Sequence, residues 1–203
     1  MGGFRTGEVK EAIVRESMKL FLANGFRGTS VKEITEAAGI GRGTLYWYFK
    51  SKDEILTNVF QEFDDKFVGG LMEAVGGCEG DFVAKYKTFH KFATEFARDN
   101  RVLALVANAL LNEVVGTNTE AERLVKAVYE RYRLFIYGML EEGKRDGSVR
   151  ADLNSSVYAH VVVASHAGML VQWFVNGETF DVPAFVKVFR NFILEGATGR
   201  DGR

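Results

Sequence analysis

The chain has 203 residues, a formal net charge of −1, 47% hydrophobic residues and 26% charged residues. These are ordinary globular proportions, long enough for a sizeable core in one or two domains, and they exclude a disordered, collagen-like or strongly basic chain. A single proline, Pro183, leaves long stretches open to continuous helix, and a single cysteine, Cys78, excludes an intrachain disulfide. In chain order, a first helix is predicted over residues 8–24, closed by Gly25. Ser30 is placed to cap a second helix, with Glu33 at the capping-box position. Val31, Ile34 and Ala38 give that helix an apolar stripe, and Gly39 ends it at the αL position. Ile40 follows as an apolar plug. Gly41, Arg42, Gly43 and Thr44 open a third helix, on which Leu45 and Phe49 are the buried pair. Arg42, Thr44, Tyr46, Trp47, Tyr48 and Lys50 are left for its other faces. Ser51 and Glu54 frame a second capping box. This is the layout of a helix-turn-helix whose second helix presents side chains to a DNA groove.

Helical signals continue to the end of the chain. A helix from Lys52 to about residue 75 carries Leu56, Val59, Phe60, Phe63, Phe67, Leu71 and Val75 at near-heptad spacing. Gly69 and Gly70 are expected to bend or fray it. Residues 76–80, with Cys78, read as an exposed loop whose thiol is a spectator. Asp81 caps a helix to about residue 99, and another runs over roughly 100–115. Thr117 and Glu120 are taken as a third capping box, opening a long helix to about residue 145. Asp152 precedes a helix to about residue 175. Asp181 and Pro183 start the last, to about residue 195, with proline in the first turn. Residues 196–203 are expected to be disordered, and residues 1–8 lack the apolar core of a signal peptide. The prediction is an all-α fold of about nine helices.

The charge distribution points the same way. Residues 1–60 carry nine Lys and Arg against seven Asp and Glu, while the remainder is at −3. Arg27, Lys32, Arg42, Lys50 and Lys52 gather around the turn, a modest phosphate-binding footprint. Residues 26–54 resemble the DNA-binding domain of the tetracycline-repressor (TetR) family. Ile13, Val14, Leu20 and Phe21 match its first helix, Gly25 and Phe26 the following turn, Thr29 and Ser30 the second helix start, and Ile34 with Ala38, Gly39 and Ile40 the turn. Gly43, Thr44, Leu45, Tyr46, Phe49, Lys52 and Glu54 match the recognition helix and the next helix start. The family usually has alanines where Glu16, Ser17 and Thr35 stand, and a capping serine at Gly41. The resemblance implies a helix-turn-helix domain over residues 1–54 and a ligand-binding and dimerisation domain over 55–203. It implies a DNA face of Thr29, Ser30, Arg42, Gly43, Thr44, Tyr46, Trp47, Tyr48, Lys50 and Lys52. On that face Lys52, Tyr48, Thr29 and Tyr46 are expected on phosphates, and Arg42, Thr44 and Trp47 at base edges.

The last two helices are too apolar for surface elements. Residues 161–164 and 167–171 leave no polar face, and the residues from Phe185 to Leu194 spread apolar side chains round most of the circumference. His160, Ser165, His166 and Gln172 interrupt the run, which argues against a membrane span. The expectation is one face on the subunit core and one on a partner, with Ala164, Gly168, Phe185, Phe189 and Phe192 at the interface. In the resembling family the last two helices form a four-helix dimer contact. Its middle region holds an inducer pocket, to which Phe63, Tyr86, Phe89, Tyr132, Phe135, Met169 and Trp173 are assigned as walls. His90, Asn108, Asn112, His166 and Gln172 are the candidate polar groups. For each of these residues, plain core packing is the competing reading.

No nucleophile elbow, zinc-helix pair or P-loop is present in the sequence, and the three histidines, His90, His160 and His166, lack a metal spacing. Catalytic residues, cofactors and metals are therefore expected to be none. The expected function is a cytoplasmic, homodimeric, ligand-responsive regulator, a repressor released from a palindromic DNA operator by a small apolar or aromatic inducer. The alternative is a helical small-molecule-binding protein that does not use its helix-turn-helix on DNA. A helical enzyme is the distant third.

Overall fold

The computed structural model describes residues 6–176 and 181–199. The expectations for residues 1–5 and 200–203 lie outside these. Among the described residues there is no strand. The helices are α1 (Thr6–Gly28), α2 (Val31–Ala37), α3 (Arg42–Tyr48), α4 (Lys52–Phe63), α5 (Gly70–Gly76), α6 (Phe82–Asp99), α7 (Arg101–Ala109), α8 (Leu111–Val114), α9 (Glu120–Asp146), α10 (Ser155–Asn176) and α11 (Val182–Thr198). A π-helical segment, Asp64–Gly69, joins α4 to α5 without a break, and Leu110 joins α7 to α8. Counted as continuous rods, these are nine helices among the described residues.

Packing divides the chain into two compact units. The first holds α1–α4, the chain to Asp65 and residues 100–128; the second holds residues 66–99 and 129 onward. This differs from a cut after residue 54, because α7 and α8 pack with the helix-turn-helix: α7 lies against both α1 and α4. The first core contains Ile13, Val14, Phe21, Ile34, Leu45, Phe49, Ile55 and Val59, all buried. Leu45 and Phe49 are the buried pair on and just beyond α3 that the spacing predicts, and burying each contributes about 1.5–3 kcal/mol. Ser17 and Thr35, at positions where the family is usually alanine, are buried in the same unit. The second core is built by α5 on α6 and α6 on α11. Gly70 permits that approach: a Cβ there would meet the Phe92 ring at 2.8 Å.

Several boundaries differ from those expected. The first helix does break at Gly25 as predicted, at a φ of 73° that only glycine adopts freely, but a further helical turn follows to Gly28. Gly69 and Gly70 neither fray nor end their helix; a π turn absorbs one extra residue and buries Phe67 and Val68 side by side. The box opening α9 is two residues later than read: Thr119 Oγ1 accepts from Glu122 N at 3.3 Å, and the Glu122 carboxylate accepts from Gly116 and Asn118. The helix after Asp152 is capped by Asn154, which accepts from Val157 N at 3.1 Å. Residues 196–198 are helical, with Ala197 buried and its carbonyl accepting from Arg150 N.

Candidate nucleic-acid interface and ligand site

The helix-turn-helix is held by local chemistry. Ser30 Oγ accepts from Glu33 N at 3.2 Å, and Glu33 accepts from Ser30 N at 2.7 Å, a complete capping box. Gly39 takes the left-handed turn at φ 66°. Gly41 caps α3 without a side chain. Ser51 caps α4, and Glu54 reaches back to Lys50 N at 2.6 Å. The buried pair Leu45 and Phe49 turns the rest of α3 outward. Arg42, Gly43 and Thr44 are exposed, Tyr46 is 48% exposed and Trp47 71%. Trp47 rests edge-on against Tyr48, 4.6 Å between ring centres. Apart from that contact, Trp47 stands clear of the core on a seven-residue helix.

Two residues expected on phosphates are committed elsewhere. Thr29 is buried, and its hydroxyl donates to the Gly25 carbonyl at 2.8 Å. Lys52 Nζ donates to the carbonyls of Phe26 and Thr29, each at 2.6 Å, and sits 4.4 Å over the Phe26 ring. The ammonium is thus a brace for the α1–α2 turn. The opposite side of that turn is held by a residue that sequence reasoning missed. The Glu113 carboxylate, from α8, accepts from the backbone N–H groups of Phe26 and Arg27 at 3.0 and 3.1 Å. A Cβ at Gly25 would come within 2.9 Å of Glu113 Oε1, so a side chain there would press on that carboxylate as well as strain the backbone. Turn carbonyls are held by a cation and turn amides by an anion. Ser30, spent on its cap, and the exposed Lys50 complete the expected DNA face.

The proposed ligand residues fall in both units. Phe63, Asn108 and Asn112 belong to the first, and Asn112 is exposed. In the second, Phe135 lines a separate open groove of about 410 Å³ with Cys78, Lys85 and Glu142. Trp173 stacks on its neighbour Phe174, and Met169 is buried. The others converge. Tyr86 stacks on Phe89 at 5.4 Å, Phe89 on Tyr132 at 5.9 Å, and His166 stands edge-on to Phe89 at 5.1 Å. Phe189, expected at a dimer face, belongs to this cluster, 5.6 Å from His90 and 5.1 Å from His166, with Phe185 beside it. Burial pushes the phenols of Tyr86 and Tyr132 above their ordinary pKa. It pushes His166 down to about 3, against the raising effect of the Val162 carbonyl. His90 is lowered for the same first reason, burial, with the nearby Arg190 charge adding to it. Tyr86 Oη, Tyr132 Oη, His90 Nδ1, His166 Nε2 and Arg190 Nε are buried with no hydrogen-bond partner in the chain. Such atoms cost about 1–3 kcal/mol each while unanswered.

The outer sides of α10 and α11 are apolar and exposed. Val157, Val161, Val171 and Val175 on α10 and Val188 and Phe192 on α11 form them, Val188 and Phe192 at 66% exposure each. Ala164 and Gly168 are exposed on α10 as well. By length and composition α10 could cross a membrane, with a mean hydropathy of 1.2 over 18 residues.

Residues 13–59 match the family model of the bacterial regulatory proteins of the tetR family, and residues 60–196 match that of the YsiA-like protein C-terminal region. The HTH-type transcriptional repressor KstR2 of Rhodococcus jostii is 28% identical over 185 residues, covering 87% of this chain and 85% of that protein. The fatty acid metabolism regulator protein of Bacillus subtilis is 24% identical over 187 residues, covering 91% and 93%. The crystal structure of the MbdR regulator from Azoarcus sp. CIB superposes with a TM-score of 0.83 at 26% identity, covering 93% and 98%. The Bacillus subtilis regulator FadR, crystallised in complex with stearoyl-CoA, superposes at 0.78 with 21% identity, covering 92% and 98%.

Proposed function

We propose that this chain, which belongs to the tetR family of bacterial regulatory proteins, acts as a homodimeric repressor in the cytoplasm that leaves its operator when a largely apolar ligand enters its second unit. It is a ligand-responsive, DNA-binding transcriptional regulator. The reading of its DNA face is carried by one observation. Leu45 and Phe49 are buried, while Arg42, Thr44, Tyr46 and Trp47 stand exposed on one short helix. Arg42 is then the guanine reader and Trp47 the contact for a thymine methyl. Tyr48 and Lys50 hold phosphates, and Gly43 lets the backbone approach. The exposed valine and phenylalanine faces of α10 and α11 support a second copy of the chain as their cover. Two-fold symmetry then calls for a palindromic operator with half-sites about 34–36 Å apart, or a multiple of that.

The aromatic cluster around Phe89, and the stearoyl-CoA complex of the similar FadR, support a long or aromatic apolar ligand. Sugar phosphates and metal ions fit that cluster poorly. Along the chain, α6 carries Tyr86, Phe89 and His90 and leads directly into α7, which packs on α1 and α4, and α8, whose Glu113 holds the α1–α2 turn. A ligand that displaces α6 would pull on this connection. A coupling of about 1–3 kcal/mol is enough for a 5- to 150-fold switch.

The test is operator binding. A site selected from random duplex DNA by the wild-type protein should be bound with a steep salt dependence. Arg42→Ala should lose about 1–3 kcal/mol on that site and tolerate substitutions at one base pair. Unchanged affinity and selectivity in a folded Arg42→Ala protein would remove the assignment.

A further inference from the structure

The unanswered phenol and imidazole atoms of the second unit share one neighbourhood. Tyr86 lies 6.1 Å from His90 and 6.3 Å from His166, ring centre to ring centre, and the two imidazoles are 5.8 Å apart. The kind of hydrogen bond they lack follows from the bonds they make. A carbonyl oxygen only accepts. His90 Nε2 lies 3.0 Å from the Val186 carbonyl, and His166 Nδ1 lies 2.9 Å from the Val162 carbonyl, so each of these nitrogens carries the proton. In a neutral imidazole the other nitrogen is then bare and can only accept. Burial keeps both rings neutral. His90 Nδ1 and His166 Nε2 are therefore two buried acceptors set among aromatic rings, without a donor in the chain. A saturated chain, a ketone or a carboxylate brings no donor to them. A hydroxyl does. It also accepts in return, which the phenols of Tyr86 and Tyr132 and the Arg190 Nε–H are free to use.

We infer that the ligand of this regulator carries a hydroxyl group within its apolar body, and that this hydroxyl donates its single proton to His166 Nε2, with His90 Nδ1 the neighbouring acceptor. The inference rests on the second unit being the ligand site. A site built around a buried hydrogen bond rejects the analogue that lacks the group, because its own polar atoms are then left unpaired. Hydroxylated and unhydroxylated forms of one compound are thus told apart.

The experiment titrates the full-length protein calorimetrically with two matched pairs, naphthalene against 2-naphthol and stearate against 12-hydroxystearate. In at least one pair the hydroxylated member should bind at least about tenfold more tightly. In His166→Phe that preference should fall to about unity while the unhydroxylated member still binds. His166→Leu serves the same comparison should His166→Phe fail to fold. Equal or tighter binding of the unhydroxylated member of each bound pair by the wild-type protein overturns the inference and leaves the ligand site standing. Binding of neither pair overturns both. The histidine nitrogen-15 spectrum of the wild-type protein supplies a check that needs no ligand: a proton on Nε2 of His166 contradicts the inference, and a proton on Nδ1 is the expected result.

Discussion

The two units differ in how completely each satisfies itself. In the first, polar groups close on one another: Ser30 with Glu33, Ser51 with Glu54, Lys52 with the carbonyls of Phe26 and Thr29, and Glu113 with the amides of Phe26 and Arg27. Ser17 Oγ is its one buried side-chain atom without a partner among the described residues. The second unit leaves phenol, imidazole and guanidinium atoms unanswered inside and valine and phenylalanine side chains bare outside. A reading head has to keep one shape, and its own bonds give it that shape. A sensing unit has to respond, and on the proposed function it would be finished by groups that its own chain does not supply: a ligand within and a second copy without.

Breaking the outer half of that contrast has the largest expected effect. Phe192→Glu places a charge on the exposed apolar face of α11 and should give a protein that sediments as a monomer. Operator affinity should fall by about 10²-fold or more, because the two recognition helices no longer bind as one linked unit. A folded Phe192→Glu dimer with full affinity would move the interface elsewhere. Phe189→Glu, by contrast, should disrupt the aromatic cluster, where that ring packs on His90 and His166.

Acid should find the second unit before the first. His166 is held down at about 3 and His90 is lowered, so both are neutral in the folded chain, whereas unfolded histidine titrates near 6.5. Below about pH 6.5 the unfolded state therefore binds more protons, and stability falls as pH drops towards the folded values. The slope is at most about 1.4 kcal/mol per pH unit for each ring. Thermal melts between pH 7.5 and 5 should show this loss, and His166→Phe should flatten it. An unaltered slope in that variant would mean that the ring is not buried neutral.

Glu113→Ala probes the reading head. It leaves two backbone amides without their carboxylate and should cost about 1.5–3 kcal/mol of local stability. The expected signature is faster hydrogen exchange at Phe26 and Arg27 with weaker operator binding. Unchanged exchange at both amides would show that the bonds do not form in solution. Ser30→Ala removes only a cap, and about 1 kcal/mol is the expected loss in denaturant titration.

What could be read in the sequence was local. Ser30 with Glu33, Ser51 with Glu54, Gly39, and the pair Leu45 and Phe49 all act over three or four positions, within reach of spacing arguments. Glu113 acts over 87 residues, and no pattern near Phe26 announces it. Lys52 was visible as a cation near the turn, but a cation that braces two carbonyls and one that binds a phosphate look alike in sequence. Tyr86, Phe89, His90, Tyr132 and His166 are assigned to a pocket only through the family resemblance; that they converge with Phe189, and that Phe63, Asn108 and Asn112 lie in the other unit, depends on packing. The π turn at Asp64–Gly69 has no local signature beyond its glycine.

Linkage gives the most direct test of the central claim, that occupancy of the second unit weakens DNA binding. An apolar compound that binds the protein should lower operator affinity by some factor between about 5 and 150, and saturating operator should lower affinity for that compound by the same factor. Both constants can be measured calorimetrically on the same preparation at one salt concentration. Equal reductions in the two affinities are the predicted result. A compound that binds the second unit while operator affinity stays constant would contradict the account.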